Sequence, residues 1–305
     1  MGFTNLLLYA TPLFLLSMWI EYKHADESGN ASYTRQDFLT NVIIGVVGFG
    51  IAIIIAAAVS GMLNIFYTFF ESYRVKLFGY QNMGWGIGAW AVALVLDDFT
   101  YYWFHRTSHR IRLIWACHIV HHNSTRFNFS TAIRNSWIAV FYKPLYWIWL
   151  AVLGFHPLMI ITCLSISACY QFFCHTELLP AWDRLSSFMT TPGLHAIHHG
   201  KEDQCIDKNY AGVFIFFDRI FGTYQPIDKS LKITFGVTRP PESEDFLEVS
   251  VHEFRNLYSS VTRARSLSER IKCLFKGPEW NPTQAKPIKA SYSETFDHGA
   301  TRILK

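Results

Sequence analysis

The sequence is short of charge. Asp, Glu, Lys and Arg make up 16% of its 305 residues, where roughly 25% is typical of soluble domains. Hydrophobic residues account for 50% of the chain and aromatic residues for 17%, and this balance favours a membrane protein. The net charge of +4 is small. No basic stripe is present, so the sequence gives no indication of nucleic-acid binding.

The sequence also lacks paired cysteines. None of its six cysteines forms a CxxC motif, and most lie in or beside apolar segments, which predicts free, buried thiols. No haem, flavin or dinucleotide fingerprint is present, so an oxidation catalysed by this chain would take its electrons from another molecule. The first apolar run has neither a basic start nor a small-residue cleavage site, and we expect a retained membrane helix.

Long apolar runs predict an all-α, integral membrane helical bundle of about four to five spans. The first span covers 3–20, the second lies near 38–63 and the third runs from about 84 to 104. Residues 136–174 form a further apolar segment that Gly and Pro break at 154–157, as expected of a helical hairpin. We expect the bundle to carry a cytoplasmic helical cap with a histidine-rich dimetal site.

The sequence divides into three predicted regions. Residues 1–82 hold N-terminal membrane helices and their connecting loops, and 64–83 are expected to be a semi-polar connection. Residues 83–225 form the predicted catalytic domain with three histidine boxes, and 226–305 form a peripheral cap and tail. Arginines crowd the histidine side of the bundle, which places that side in the cytoplasm, although Arg74 and Lys76 in the opposite loop weaken the bias.

Histidines recur at helical spacing. HRTSH at 105–109 has two histidines four residues apart, and HIVHH at 118–122 has three at i, i+3 and i+4. The same HxxHH pattern returns as HAIHH at 195–199, and QFFCHTE adds His175 after the predicted hairpin. On a helix these spacings place the imidazoles on one face, within about a turn of one another. We therefore predict that they converge near one membrane face.

A site built from imidazole is typical of Zn, Cu, Ni or Fe. Eight or nine histidines exceed the needs of one ion and suit two, and a dinuclear iron site that activates dioxygen is the best chemical match. A binuclear zinc hydrolase would normally use bridging carboxylates. A membrane metal-binding or transport protein is the alternative from another functional class. The predicted ligands are His105, His109, His118, His121, His122, His175, His195, His198 and His199.

Polar residues beside the histidines have predicted supporting roles. Asp98 lies seven residues before His105, hence on the same helical face, and is predicted to hydrogen-bond or tune a ligating histidine. Asp207, Asn209 and Tyr210 follow the third histidine box closely and are predicted either to support the site in the same way or to shape a turn. Three further residues could hold a lipid headgroup, with a snorkelling role equally open for the arginine: Asn128, Thr131 and Arg134.

The histidine boxes resemble those of the fatty acid hydroxylase / sterol desaturase superfamily of membrane-bound non-haem di-iron enzymes. The strings YYWFHR, STAIRNS, IDKNYAG, FDRIFGTYQP and GPEWNP look most like its alkylglycerol monooxygenase branch and bacterial relatives. One departure is Arg110, which stands directly after HxxxH where the alkylglycerol enzymes carry a glutamate. This departure leaves the lipid substrate and any need for a pterin reductant open.

The resemblance implies an oxidoreductase with two iron ions held by the histidines named above and dioxygen as co-substrate. It implies tetrahydrobiopterin or an external donor, such as an electron-transfer protein, as the source of electrons. The expected reaction is hydroxylation or desaturation of the aliphatic chain of a lipid, and a sterol or fatty acid enzyme with a protein electron donor is the alternative. The expected location is multi-pass in a bacterial inner membrane or the endoplasmic reticulum.

Overall fold

The chain is mostly helical. A computed structural model describes residues 3–27, 32–228, 230–280 and 302–303. Its α-helices are α1 (Phe3–Glu27), α2 (Arg35–Phe69), α3 (Glu71–Phe78), α4 (Ile87–Arg110), α5 (Arg112–His122), α6 (Phe129–Ala132), α7 (Ala139–Tyr142), α8 (Ile148–Val152), α9 (Pro157–Phe173), α10 (Pro192–His198), α11 (Phe216–Ile220), α12 (Phe246–Arg263) and α13 (Leu267–Phe275). The strands β1 (Lys232–Ile233) and β2 (Arg302–Ile303) pair antiparallel. Most of the predicted C-terminal tail lies outside the described residues.

The second predicted span belongs to a longer helix than expected. Thr34 caps the start of α2, where its side chain accepts a hydrogen bond from the Asp37 backbone N–H. The helix continues to Phe69 and α3 follows after one residue, so most of the predicted connection at 64–83 is helical. No proline occurs in this stretch, and the first helix-ending glycine is Gly79, in the left-handed conformation at φ 76°.

By length and composition, one helical segment of the described residues could cross a membrane, Arg35–Phe78. Two shorter apolar helical segments are Ala139–Val152 and Pro157–Phe173. They are joined at the predicted break, where Gly154 adopts φ 95° and Pro157 begins α9. The break also needs glycine for space, because a Cβ at Gly154 would lie 2.9 Å from the Nε of buried Arg74.

The largest buried apolar cluster joins α2, α4, α8 and α9 and includes Leu63, Trp147, Phe155 and Met159. The carboxylate of Asp97 lies within this region and is fully buried. It accepts hydrogen bonds from the Trp147 indole at 2.7 Å and the Ser167 hydroxyl at 2.5 Å. Because a buried carboxylate is costly without such partners, Asp97 fixes α4 against the hairpin segments.

A sharp corner between α4 and α5 brings the first two histidine boxes together. Ile111 has an extended backbone and is the single residue between the two helices. The peripheral cap, residues 226–280 here, holds α5 from outside through a buried ion pair between Arg112 and Glu253 at 2.9 Å. The Arg112 backbone N–H also donates to the Lys276 carbonyl at 3.0 Å. The cap therefore supports the helix that carries HIVHH.

Candidate metal centre

The nine predicted histidines converge in two adjacent groups. The five-histidine group contains His105, His109, His118, His122 and His198. The four-histidine group contains His121, His175, His195 and His199. Within each group the candidate ligand atoms all lie within 4.8 Å of one another, which is the geometry that one ion per group requires. The rings of His122 and His199 stack at 4.3 Å across the two groups.

Each HxxHH box serves both groups. In HIVHH, the first and last histidines belong to the five-histidine group and the middle one, His121, to the four-histidine group. In HAIHH the assignment is reversed, and the middle one, His198, crosses to the five-histidine group. Residues at i and i+4 lie close to one helical face, whereas i+3 points to the neighbouring side. Each of these two short helices thereby contributes to both groups.

Ring nitrogens in the four-histidine group face each other with no proton between them. His121 and His175 each place Nδ1 against a carbonyl oxygen, that of Arg134 at 3.3 Å and that of Gln171 at 2.7 Å. A carbonyl only accepts, so the proton sits on Nδ1 and leaves a lone pair on Nε2. The two Nε2 atoms are 3.1 Å apart. Two lone pairs this close repel, unless a cation lies between them.

The five-histidine group has closely spaced ring nitrogens too. His198 donates from Nδ1 to the Lys208 carbonyl at 2.7 Å, and its Nε2 lies 3.2 Å from the Nε2 of His122. His105 donates from Nδ1 to the Tyr210 carbonyl at 2.7 Å, and its buried Nε2 has no hydrogen-bond partner among the described residues. With a metal–imidazole distance of about 2.1 Å, two ligands at a right angle are separated by about 3.0 Å. The nitrogen spacing therefore fits metal coordination.

The histidines are neutral, as metal ligation requires. Burial lowers the pKa of His175 and of His198 to about 4. It also lowers the pKa of the other seven histidines well below the ordinary value, with neighbouring imidazoles adding to the effect. Most lie near the carboxyl ends of α4, α5 and α10. A helix carries partial negative charge at that end, which favours a cation.

Asp98 was predicted to contact a ligating histidine, but its side chain contacts none. Its carboxylate accepts three backbone N–H groups, from Gly212 at 3.1 Å, Val213 at 2.8 Å and Phe214 at 2.7 Å. Asp98 and His105 do lie on the same helix, α4, but the carboxylate binds a loop that follows more than 110 residues later in the sequence. Asp98 therefore fixes the segment that follows Tyr210, whose carbonyl faces His105.

Asn209 shapes a turn, which is one of its two predicted roles. It adopts φ 53°, a left-handed conformation that Asn tolerates better than most residues. Its side chain donates to the carbonyls of Leu194 and Gln225, each at 3.0 Å, and accepts from the Gln225 N–H at 2.9 Å. Since Leu194 directly precedes His195, this turn ties the loop to the third histidine box.

The predicted headgroup residues are buried and fully engaged, so that prediction was wrong. Asn128 caps α6 and donates to the Ser32 carbonyl at 2.7 Å, while Thr131 donates to the Arg126 carbonyl at 3.1 Å. Arg134 is 1% exposed, which also excludes a snorkelling role. Its guanidinium donates to Asp37, Asn41, Asn123 and the Val120 carbonyl. This network instead joins α2 to the end of α5 beside His121.

Sequence reasoning missed two carboxylates near the site. Glu21 in α1 accepts hydrogen bonds from the Tyr33 hydroxyl at 2.5 Å, the Phe129 N–H at 2.7 Å and the Thr176 hydroxyl. It thereby ties the first helix to the residue after His175. Asp218 accepts from the backbone N–H groups of Tyr210 and Ala211, each at 2.8 Å. Neither lies in a histidine box, although Asp218 belongs to the string FDRIFGTYQP. Their partners are distant in sequence or are backbone groups.

Comparison with known proteins agrees with this geometry. Residues 90–223, which contain every histidine of both groups, match the fatty acid hydroxylase family model. The chain therefore contains a domain of the fatty acid hydroxylase family. Human alkylglycerol monooxygenase is 32% identical over 310 residues, and the match covers 97% of this chain and 66% of that protein. The resemblance seen in the sequence is therefore confirmed.

Other relatives are similar over shorter stretches. The zebrafish (Danio rerio) alkylglycerol monooxygenase is 36% identical over 200 residues, or 63% of this chain and 43% of the relative. The ornithine lipid hydroxylase of Rhizobium tropici is 26% identical over 156 residues, or 48% of this chain and 45% of the relative. This chain thus spans less than two thirds of the length of the alkylglycerol monooxygenases it matches. No solved structure matches it.

Proposed function

We propose that this protein is a membrane-bound non-haem di-iron oxygenase that hydroxylates or desaturates the aliphatic chain of a lipid. The observation that carries the proposal is the pair of histidine groups, in which the Nε2 atoms of neighbouring rings face each other at 3.0–3.2 Å. Similarity to alkylglycerol monooxygenases supports the reaction class.

Iron is the proposed metal because both groups offer imidazole nitrogen. No cysteine belongs to either group, so the site differs from iron–sulfur centres and from most structural zinc sites. His105, His109, His118, His122 and His198 would hold one iron, and the other four histidines the second. When bound, the irons would supply activation of dioxygen. The chain's own part is to orient the imidazoles and keep bulk water from them, and most of these rings are buried.

The proposed topology has five spans, formed by residues 3–20 of α1, by α2, by residues 87–104 of α4 and by the two arms of the hairpin at 136–174. Large apolar side chains on these elements are exposed in the isolated chain, including Tyr9 (80%), Ile54 (79%) and Ile87 (90%). Exposed apolar surface on this scale is typical of helices surrounded by lipid. The histidines follow α4 and α9 and so share one face, which we place in the cytoplasm.

The proposed substrate is a lipid with its chain between the spans and its polar end near the histidine groups. The alkylglycerol monooxygenases suggest an ether lipid with tetrahydrobiopterin as reductant. Arg110 stands at a position where that branch carries a glutamate. Because of this difference, we propose a second candidate function within the family. That candidate is a sterol or fatty acid hydroxylase or desaturase that takes electrons from a protein donor.

A product assay on the purified protein in lipid nanodiscs tests the proposal. The protein is loaded with ferrous iron and offered alkylglycerols, fatty acids or sterols, with a pterin or a ferredoxin-type donor, under oxygen. Hydroxylation adds one oxygen to the lipid mass and desaturation removes two hydrogens. His195→Ala should abolish the product, whereas His156→Ala, in the hairpin turn, should retain it. A wild-type protein that binds only zinc and consumes no oxygen would contradict the proposal and favour a metal-binding or transport role.

A further inference from the structure

A carboxylate lies beside the five-histidine group. Asp207 Oδ1 is 3.9 Å from the Nδ1 of His109 and accepts a hydrogen bond from the Tyr210 hydroxyl at 2.8 Å. Its second oxygen, Oδ2, accepts from the Arg110 guanidinium at 2.5 Å. The distance to His109 exceeds a direct hydrogen bond. At this separation the carboxylate acts on the His109 ring through its charge and not through a hydrogen bond.

Asp207 belongs to a loop that reaches three histidines of the same group. Its neighbours Lys208 and Tyr210 offer carbonyl oxygens to His198 and His105. Asp207 and Asn209 both adopt left-handed backbone conformations, at φ 61° and 53°. Such conformations are uncommon for residues other than glycine and persist when the surroundings enforce them. The loop backbone is therefore held so that Asp207, Lys208 and Tyr210 each face a different histidine ring.

The two histidine groups consequently differ in what faces their outer ring nitrogens. His121 and His175, in the four-histidine group, direct Nδ1 at neutral carbonyls. His109 has a carboxylate near its Nδ1 instead. A carboxylate that accepts a hydrogen bond from the second ring nitrogen orients a ligating imidazole and increases its basicity, and its removal typically lowers metal affinity by roughly 10–100-fold. Without that hydrogen bond, the effect of Asp207 should lie toward the lower end of this range. The ion beside Asp207 gains a stabilisation that these carbonyl contacts do not provide.

We propose that Asp207 is a positioning residue that orients His109, and that it makes the ion of the five-histidine group the more tightly held of the two. Arg110 completes the arrangement. It binds Oδ2 from the end of α4, so that Oδ1 is the oxygen that faces His109. The inference rests on the proposed function in one respect, that each group binds an ion. It does not depend on which lipid is oxidised.

The test is the rate at which a chelator removes each ion from the purified protein. The wild type should lose its two irons in two phases. Asp207→Asn keeps an amide that suits the left-handed backbone and can accept from Tyr210, but it removes the charge. We expect this variant to lose the slow-phase ion at least tenfold faster while the fast phase stays unchanged. Asp203→Asn, an exposed aspartate of the same loop, is the matched control and should behave as wild type.

A second variant separates this role from a merely structural ion pair. Arg110→Ala removes the partner of Asp207 but leaves the carboxylate, so the slow phase should change much less than in Asp207→Asn. Mössbauer spectra of iron-57-loaded protein should show one of two iron environments altered by Asp207→Asn. Equal effects of the two substitutions, or unchanged chelation in Asp207→Asn with folding confirmed by circular dichroism, would overturn the inference. Wild-type protein that binds no iron would instead refute the proposed function.

Discussion

Replacing Arg134 tests how the histidine groups are held. The side chain is buried and donates to Asp37 at 2.9 Å and to Asn123 at 2.5 Å. Its backbone carbonyl faces the Nδ1 of His121 at 3.3 Å. The substitution Arg134→Met leaves the backbone in place and removes the cation, so it isolates the contribution of the buried network to stability.

The expected loss of stability comes from the carboxylate of Asp37, which stays charged after the substitution. Asp37 is 1% exposed and would be left without its cation. Removing one partner of a buried ion pair costs about 3–5 kcal/mol. At about 2–4 °C per kcal/mol for a domain of this general size, the unfolding temperature should fall on the order of 10 °C. Adding Asp37→Asn to Arg134→Met removes the unpaired charge and should recover most of that loss.

The assay is thermal unfolding of the protein in nanodiscs, followed by circular dichroism, with metal content measured in parallel. Arg255→Met is the matched control, because Arg255 pairs with Glu248 at the same 2.9 Å but is 58% exposed. An exposed pair contributes at most about 1 kcal/mol. The reasoning is refuted if Arg134→Met destabilises no more than Arg255→Met, or if the double variant is no more stable than Arg134→Met alone.

Three further predictions concern neighbouring elements. Asp98→Ala leaves three backbone N–H groups without their acceptor, so both unfolding temperature and bound metal should fall; unchanged metal content would contradict its positioning role. Gly212→Ala would place a Cβ 2.9 Å from Asp98 Oδ1 and should destabilise the protein, whereas Gly88→Ala meets no atom within 4 Å and should not. Burial raises the pKa of Glu21 to about 7, so its protonated form stabilises the fold fully below about pH 4.5 and that contribution is lost as pH rises through 7. Glu21→Gln should remove this slope in unfolding measurements between pH 4.5 and 7, and an unchanged slope would show that another group causes it.

The sequence contained enough information to predict that the histidines converge. Helical spacing alone brings i, i+3 and i+4 together, and the apolar runs place the boxes at the ends of helices. The division into groups was not predicted, since His121 and His122 are adjacent in sequence but belong to different groups. That assignment depends on the angle at which α5 and α10 face each other, which no local pattern encodes.

The roles of the polar neighbours were harder to predict because their partners are remote. Arg134 resembles an interfacial arginine in sequence, but Asp37 arrives from 97 residues away to bury it. Asp98 has the spacing of a histidine partner, yet backbone N–H groups of residues 212–214 take its carboxylate. Asp207 lies in no histidine box. Such contacts depend on the tertiary fold, and some of the partners are backbone groups. The pattern of side chains along the sequence indicates neither.

The central claim is that two histidine groups each hold an iron ion. Its most direct test is metal analysis with X-ray absorption spectroscopy on the purified, unsubstituted protein. The account predicts two irons per chain in a nitrogen- and oxygen-rich environment with imidazole scattering and no sulfur ligand. One ion per chain, sulfur ligation, or a metal content that His121→Ala and His198→Ala leave unchanged would contradict it.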